Sequence, residues 1–204
     1  MDKVIERYAR AYRRGIETRG FEDIDGMVAA YRERLRQMYA SETYSEHNAY
    51  PSMSVEYVYA VIAMCLELKE RGLMDEQVIE TVNAGFAARR RFFDVLVRAI
   101  DLLPNCYRIT ERWNVVDHAK RVADGSITYD SFEVGDGRVE YRISRCMYVE
   151  MFEHYGIRGL CKIFCMTDER AYAALTRHVR FVRHSDLSDG ESCHDEVMDR
   201  RLHG

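Results

Sequence analysis

The spacing of apolar residues changes near Ser126, and this change constrains the fold more than any other feature. Before Ser126, apolar residues recur three and four positions apart and turn signals are sparse, which predicts helices. After it, SITYDSFEV and RVEYRISRC alternate apolar and polar residues around a Gly-Asp-Gly turn, as β-hairpins do. We therefore expect an α+β fold, with a helical part (residues 1–125) packed on a small antiparallel sheet formed within residues 126–200.

Residues that start or stop helices bound the predicted elements. Gly72 can take the positive φ of a helix end, Asp75 can cap the next helix, and Pro104 cannot continue a helix interior. The expected helices are Lys3–Thr18, Asp25–Ala40, Ser54–Gly72, Asp75–Leu103 and Thr110–Ala123. The polar and aromatic segment SETYSEHNAYPSMS predicts a loop, in which the candidate substrate contacts are Tyr44, His47 and Tyr50.

The last third of the chain predicts two more strands after one or two helices. LTRHVRFVRHSDL alternates again, and ESCHDEVMDRR can supply a final strand beyond a Ser-Asp-Gly turn. Helices within residues 147–174 are expected to cover one face of the sheet. Cys146 would then lie at a junction between strand and helix, and Cys193 near the start of the final strand, so the two can approach each other.

Size and charge limit the function classes. The chain has 204 residues, which favours one domain, and its formal net charge of −4 gives no overall attraction to nucleic acid. No apolar stretch approaches the ~18 residues that span a bilayer, and the charged N-terminus does not resemble a signal peptide. We expect a cytoplasmic protein with a small-molecule substrate, reduced cysteines and no membrane or nucleic-acid partner; a homo-oligomer is left open.

The candidate reactive groups are thiols and carboxylates at helical spacing. Cys146 and Glu150 are four residues apart and Cys165 and Asp168 are three apart, so each pair would share a helix face. Cys161, in an apolar stripe, is interpreted as packing. A carboxylate alone raises the pKa of a thiol, so a reactive cysteine also needs a cation, a base or a helix N-terminus nearby. Arg145 beside Cys146 and His194 beside Cys193 are candidates for these groups.

A metal site is the alternative chemical interpretation. Cys146, Cys165, Cys193 and His194 have the ligand types of a zinc site with three cysteines and one histidine. Their spacing matches no compact zinc knuckle. We therefore predict no resident metal or cofactor and keep zinc as the alternative.

Three segments of the C-terminal third occur together in a known family. CMYVE, IFCMTD and LSDGESCHDEV, in this order, resemble the L-2-amino-thiazoline-4-carboxylic acid hydrolase family over residues ~130–200. The resemblance implies hydrolytic opening of a 2-amino-thiazoline ring and an active site that includes Cys146, Glu150, Cys165, Asp168, Cys193 and Asp195. His194 departs from the family pattern, because it separates Cys193 from Asp195, and its imidazole is a candidate base. Arg145, Arg180 and Arg183 are candidates to bind the substrate carboxylate.

The order of elements also resembles a different functional class. Helices, a hairpin, a helix and a final strand occur in the small-molecule-binding domain related to vinyl reductases. In that interpretation the cysteines line a ligand cavity or hold a metal, without turnover.

Overall fold

The computed structural model describes residues 1–203 and has the α+β architecture expected from the sequence. Its helices are α1 (Asp2–Glu17), α2 (Ile24–Tyr39), α3 (Glu42–His47), α4 (Val55–Glu70), α5 (Asp75–Gly85), α6 (Ala87–Asp101), α7 (Cys106–Asp124), α8 (Met147–His154), α9 (Lys162–Ala173) and α10 (Arg200–His203). A short 3₁₀ helix, Arg158–Cys161, precedes α9. The strands are β1 (Ile127–Gly135), β2 (Arg138–Cys146), β3 (Val179–Ser185) and β4 (Cys193–Asp199).

The chain forms two compact units. Unit 1 comprises residues 1–90 and 151–160, and unit 2 comprises residues 91–150 and those from 161 onward. The boundary near residue 90 falls inside α6, so it does not coincide with the change of apolar spacing at Ser126. This happens because α7 packs against the sheet and belongs to unit 2. The single domain expected from chain length stays a prediction.

Unit 1 is a helical bundle built mainly from α1, α2, α4 and α5. Tyr31, Tyr59 and Leu68 are fully buried in it. Helix α1 crosses α5 so closely that a Cβ added at Gly15 would lie 2.5 Å from the carbonyl oxygen of Thr81. A side chain at Gly85 would similarly meet the carbonyl oxygen of Ala11, so this crossing requires glycine on both helices.

Two expectations about the helices are wrong, each for a local reason. The predicted loop after α2 contains α3, which begins because Ser41 caps it: the Ser41 Oγ accepts a hydrogen bond from the Tyr44 N–H at 3.1 Å. The single helix predicted over Asp75–Leu103 is two helices, α5 and α6, which separate at Phe86. The glycine that ends α5, Gly85, has a low helix propensity and is retained by its contact with α1.

Unit 2 contains a four-stranded antiparallel sheet in the order β1-β2-β4-β3. The hairpin of β1 and β2 turns at Asp136 and Gly137, whose φ values of 52° and 70° suit a tight hairpin turn. The predicted hairpin and the two later strands are thus confirmed. Val139, Val197, Val179 and Tyr172 belong to the buried cluster that joins the sheet to the helices of this unit.

The alternation of side chains gives the sheet two chemically different faces. Val139, Tyr141, Val197 and Phe181 lie on the face covered by helices. Residues one position away, such as His194 and Glu196, lie on the opposite face. None of the helices within residues 1–203 has the length and apolar character needed to cross a membrane.

Candidate active site

A polar row crosses the covered face of the sheet in unit 2. Tyr141 on β2, Asp195 on β4 and Arg183 on β3 are register partners, strand by strand. The Arg183 guanidinium donates two hydrogen bonds to the Asp195 carboxylate, at 2.8 and 2.7 Å, and the Tyr141 hydroxyl donates a third at 3.1 Å. The Asp195 side chain is 1% exposed, so all of its charge is balanced inside the protein.

Arg183 also connects this row to helix α9. Its Nη1 donates to the backbone carbonyl of Cys165 at 2.7 Å, and the same nitrogen lies 3.5 Å from the Glu169 carboxylate. Its Nη2 lies 3.8 Å from the Asp168 carboxylate. Desolvation is the largest single effect on the pKa of Arg183 and acts to lower it. The hydrogen bonds and charge of Asp195, with the charge of Asp168, outweigh it, so the pKa of Arg183 is raised. Arg183 is therefore a fixed cation that holds α9 against the sheet.

Cys165 and Cys193 adjoin this row, and Cys165 lies within electrostatic range of three other cysteines. A hydrogen bond with Cys165 and burial raise the pKa of the Cys161 thiol. Cys165 also contributes to the raised pKa values of Cys146 and Cys193. Cys161, interpreted from the sequence as packing alone, thus belongs to the same thiol cluster (Cys146, Cys161, Cys165 and Cys193).

Cys146 is the last residue of β2 and lies at the start of α8. Desolvation raises the pKa of its thiol to about 11. Backbone N–H groups of Val149 and Tyr148 and the guanidinium of Arg121 act in the opposite direction and favour the thiolate. These are the two activating features, a helix N-terminus and a cation, that the sequence suggested for this position, although the cation is Arg121 and not Arg145.

Cys193 begins β4, two residues before Asp195. Burial is the main cause of its raised pKa, and the Asp195 charge adds to it. Tyr129 on β1 lies within electrostatic range of both Cys193 and Cys146. The predicted approach of these two cysteines is consistent with this shared neighbour.

Asp168 on α9 has a carboxyl group whose pKa is raised toward neutral pH. Desolvation by the surrounding protein raises its pKa to about 6, opposed by Arg183 and reinforced by Asp195. Its side chain nevertheless remains 55% exposed. The Asp168 carboxylate is therefore reached by water, with Arg183 on its protein side.

A polar stripe on α7 completes the surroundings, and the sequence interpretation missed it. Asn114, Asp117 and Arg121 recur at helical spacing, and Tyr172 donates to the Asn114 side chain at 3.1 Å. Asp117 accepts from Arg121 at 3.2 Å, and Arg121 lies 5.6 Å from the ring centroid of Tyr148. Polar residues at this spacing are normally the solvated face of a helix, so the sequence contains no signal that they lie near the site.

Other predicted residues lie outside this arrangement. His194 faces the opposite side of the sheet from Cys193 and Asp195, where its Nε2 is 2.9 Å from Glu140 and its ring stacks on that of His184. This follows from strand alternation, since neighbours on a strand point to opposite faces. The Glu150 carboxylate accepts two hydrogen bonds from Arg145, at 2.6 and 2.8 Å.

The aromatic loop candidates belong to unit 1. The His47 Nδ1 lies 2.6 Å from the Tyr59 hydroxyl, and the Tyr44 ring packs against Tyr59 at 5.0 Å. Tyr50 follows α3. Within residues 1–203, no group of three or more histidine, cysteine, aspartate or glutamate side chains has the arrangement of a metal site.

Comparison with known families agrees with the three sequence segments. The sequence profile described as L-2-amino-thiazoline-4-carboxylic acid hydrolase matches residues 54–195. The chain belongs to this family. The match covers both the thiol cluster and the Arg183–Asp195 row of unit 2, and it extends well beyond the C-terminal segments that carried the resemblance. A comparison with curated proteins finds no match.

Proposed function

We propose that this family member is a small-molecule hydrolase that opens a cyclic amidine-like ring, with 2-amino-thiazoline-4-carboxylate as the first substrate to test. The observation that supports the proposal is the grouping of four thiols with Asp168, Asp195 and Arg183 on one face of the sheet. Thiols provide nucleophiles and carboxylates accept protons, and hydrolysis at an electrophilic carbon requires both.

The proposed reaction acts on the ring carbon that is bonded to sulfur and two nitrogens. The Cys146 sulfur adds to this carbon, the bond from the carbon to the ring sulfur breaks, and the ring sulfur takes a proton. Water then adds to the same carbon, and the Cys146 sulfur leaves and regains its proton. One water is consumed, no electrons are exchanged, and the product is N-carbamoyl-cysteine.

Cys146 is the proposed nucleophile because it is half-buried and two kinds of neighbouring group favour its thiolate. Helix α8 directs two backbone N–H groups toward it, and Arg121 contributes a positive charge. A pKa of about 11 still leaves the thiol protonated at neutral pH. The proton must therefore leave during the attack, and a carboxylate with a pKa of about 6 is suited to accept it. We assign that role to Asp168.

The remaining predicted residues have supporting roles in this proposal. Asp195 is saturated by Arg183 and Tyr141, so it positions Arg183 and does not itself contact substrate. Cys165 and Cys193 line the site near the nucleophile. A catalytic role for Glu150 and binding of the substrate carboxylate by Arg145 would require their mutual ion pair to open. His194, on the opposite face, has no place in this mechanism.

The test is turnover of 2-amino-thiazoline-4-carboxylate, measured as N-carbamoyl-cysteine by chromatography. We expect activity in the wild type and a loss of at least about a hundredfold in Cys146→Ser and Asp168→Asn, the usual scale for nucleophile and base. Cys106→Ala, which removes a buried thiol of the hydrophobic cluster, is the matched control. Circular dichroism checks folding of each variant.

Each outcome has a defined meaning. Full turnover in Cys146→Ser, Cys161→Ser, Cys165→Ser and Cys193→Ser would exclude a thiol of this cluster as the nucleophile. If Asp168→Asn alone were then inactive, a carboxylate-activated water would replace the thiol mechanism. Absence of wild-type turnover on this compound and on related cyclic amidines would overturn the proposed function.

A further inference from the structure

A concave feature of unit 2 lies between α9 and the edge strand β3. It is a pocket of about 380 Å³. Tyr172, Ala173 and Thr176 contribute from the α9 side, Arg180 and Phe181 from β3, and Arg200 from α10. No cysteine lines it, so it is distinct from the thiol cluster although Arg183 borders both.

Two stacked aromatic rings form an apolar wall of this pocket. The rings of Tyr172 and Phe181 are parallel within 11°, with centroids 4.6 Å apart. Val179 adds aliphatic surface beside them. The wall can therefore accept the apolar part of a small organic molecule, which is the usual composition of a ligand pocket with a few polar groups.

The charge of the pocket is unbalanced. Glu169 also lines the pocket, and its carboxylate lies 3.5 Å from Arg183. Arg183 is thus paired with both Asp195 and Glu169, which leaves Arg180 and Arg200 as the cations of the rim. Arg180 donates to the backbone carbonyl of His203 at 3.3 Å, and Arg200 donates to that of Val179 at 3.4 Å. Over residues 1–203, neither guanidinium has a carboxylate within the 4.0 Å of an ion pair.

Guanidinium groups of this kind are well suited to anions. Each has five N–H donors in a planar fork, and a backbone carbonyl uses only one of them. Two such groups on the rim of one pocket match the oxygens of a carboxylate or a phosphate. Both arginines are exposed residues at the mouth of the pocket, beside its aromatic wall.

We propose that this pocket binds a small aromatic or similarly apolar anion, with its charged oxygens held by Arg180 and Arg200 and its apolar part against Tyr172 and Phe181. The proposal does not depend on the hydrolase mechanism, because no proposed catalytic group is required for binding. Carboxylates and phosphate esters share the required chemistry, and the experiment distinguishes them.

The test is isothermal titration calorimetry on the full chain at constant ionic strength. The probes are phthalate, which carries two carboxylates on a ring, and phenyl phosphate, with neutral benzyl alcohol as a comparison. We expect saturable one-to-one binding of at least one anionic probe and none of benzyl alcohol. Whichever anion binds identifies the preferred acid group.

Paired variants separate this site from general electrostatic attraction. Arg180→Gln/Arg200→Gln should weaken binding at least about tenfold, because two charge-assisted contacts are removed. Arg108→Gln/Arg142→Gln, which removes the same charge from exposed positions outside the pocket, should leave affinity unchanged. Ala173→Phe keeps both arginines and fills the pocket, so it should also abolish binding.

Three results would overturn the inference. These are the absence of binding by both anionic probes, equal weakening in the two arginine double variants, and unchanged affinity in Ala173→Phe. Circular dichroism of each variant ensures that a loss of binding is not a loss of folding.

Discussion

Arg183 on β3 and Asp195 on β4 are direct cross-strand partners joined by two hydrogen bonds of 2.8 and 2.7 Å. Their side chains are 10% and 1% exposed. Arg183 simultaneously binds the backbone of α9 at Cys165. The pair thus fixes the distance between the sheet and the helix that carries Cys165 and Asp168, and the geometry of the candidate site depends on it.

We expect Asp195→Asn to destabilise the protein substantially. Removing one charge of a buried ion pair leaves the other unbalanced, at a cost of about 3 kcal/mol or more in the free energy of unfolding. Urea denaturation followed by circular dichroism measures this loss. Glu196→Gln is the control, because the neighbouring residue points to the opposite face and is partly exposed. A similar loss in both variants would show that the Arg183–Asp195 pair has no special structural role.

The sequence predicted most of the architecture, because the elements that were correct carry strong local signals. The hairpin around Asp136 and Gly137 combines alternation with turn residues that tolerate positive φ. Helix α3 was missed because its six residues are too short for a periodic pattern, and the break at Phe86 depends on a tertiary contact of Gly85. Neither feature is encoded by apolar spacing alone.

We expect Gly15→Ala to destabilise unit 1. The added Cβ would lie 2.5 Å from the backbone carbonyl oxygen of Thr81, so α1 and α5 would have to move apart. Overpacking of this kind costs about 1–3 kcal/mol in the free energy of unfolding. Gly159→Ala is the matched control, because no atom lies within 4 Å of its added Cβ. Thermal denaturation of both variants tests the difference, and equal melting temperatures would contradict the close crossing of α1 and α5.

Asp168→Asn should stabilise the protein at neutral pH. The pKa of Asp168 is raised from 3.8 to about 6, mainly by desolvation, so the folded state holds its proton more tightly than the unfolded state. Ionisation of this carboxyl therefore lowers stability progressively as the pH rises through the interval between these two values. The variant lacks this loss, so its free energy of unfolding should be higher than that of the wild type above about pH 6. Below about pH 4 this effect gives no difference between them.

Denaturation at a series of pH values measures the stability gain of Asp168→Asn. Asp189→Asn serves as the control, because its side chain is 63% exposed and outside the thiol cluster. If Asp168 is also the base, kcat/KM of the wild type should rise with pH and reach half its plateau near pH 6. A stability difference that is independent of pH would contradict the raised pKa.

We expect alkylation of the native protein to select Cys146 and Cys165. These two are half-buried, whereas the other four cysteines are buried. Because the pKa of Cys146 is raised to about 11, its rate of reaction with iodoacetamide should rise about tenfold per unit between about pH 7 and pH 10. Mass spectrometry of peptides locates the labels, and in concentrated urea all six cysteines should react. A rate at Cys146 that levels off near neutral pH would contradict the raised pKa.

The candidate site could be predicted only in part, because some of its residues come together only in the folded chain. Cys146, Cys165 and Asp168 were predicted because thiols beside acids are unusual in an apolar segment. Cys193 was predicted from the final strand and the family resemblance, and Asp195 from the resemblance alone. His194 was misplaced because a residue beside Cys193 in sequence is on the other face in a strand. Arg121, on a distant helix, has no sequence relation to the cysteines, and only the fold brings it near them.

Arg121→Gln tests whether that cation acts on the nucleophile. Its guanidinium favours the Cys146 thiolate, so removing it should raise the pKa of Cys146 further and slow alkylation of this thiol severalfold at a fixed pH. Lys120→Gln removes the same charge from an exposed neighbour on α7 and should have little effect. The alkylation rate of Cys165, followed in the same samples, reports any general loosening of unit 2. Equal slowing in both variants would show that Arg121 has no specific influence, whereas selective slowing at Cys146 supports its effect on the ionisation of this thiol.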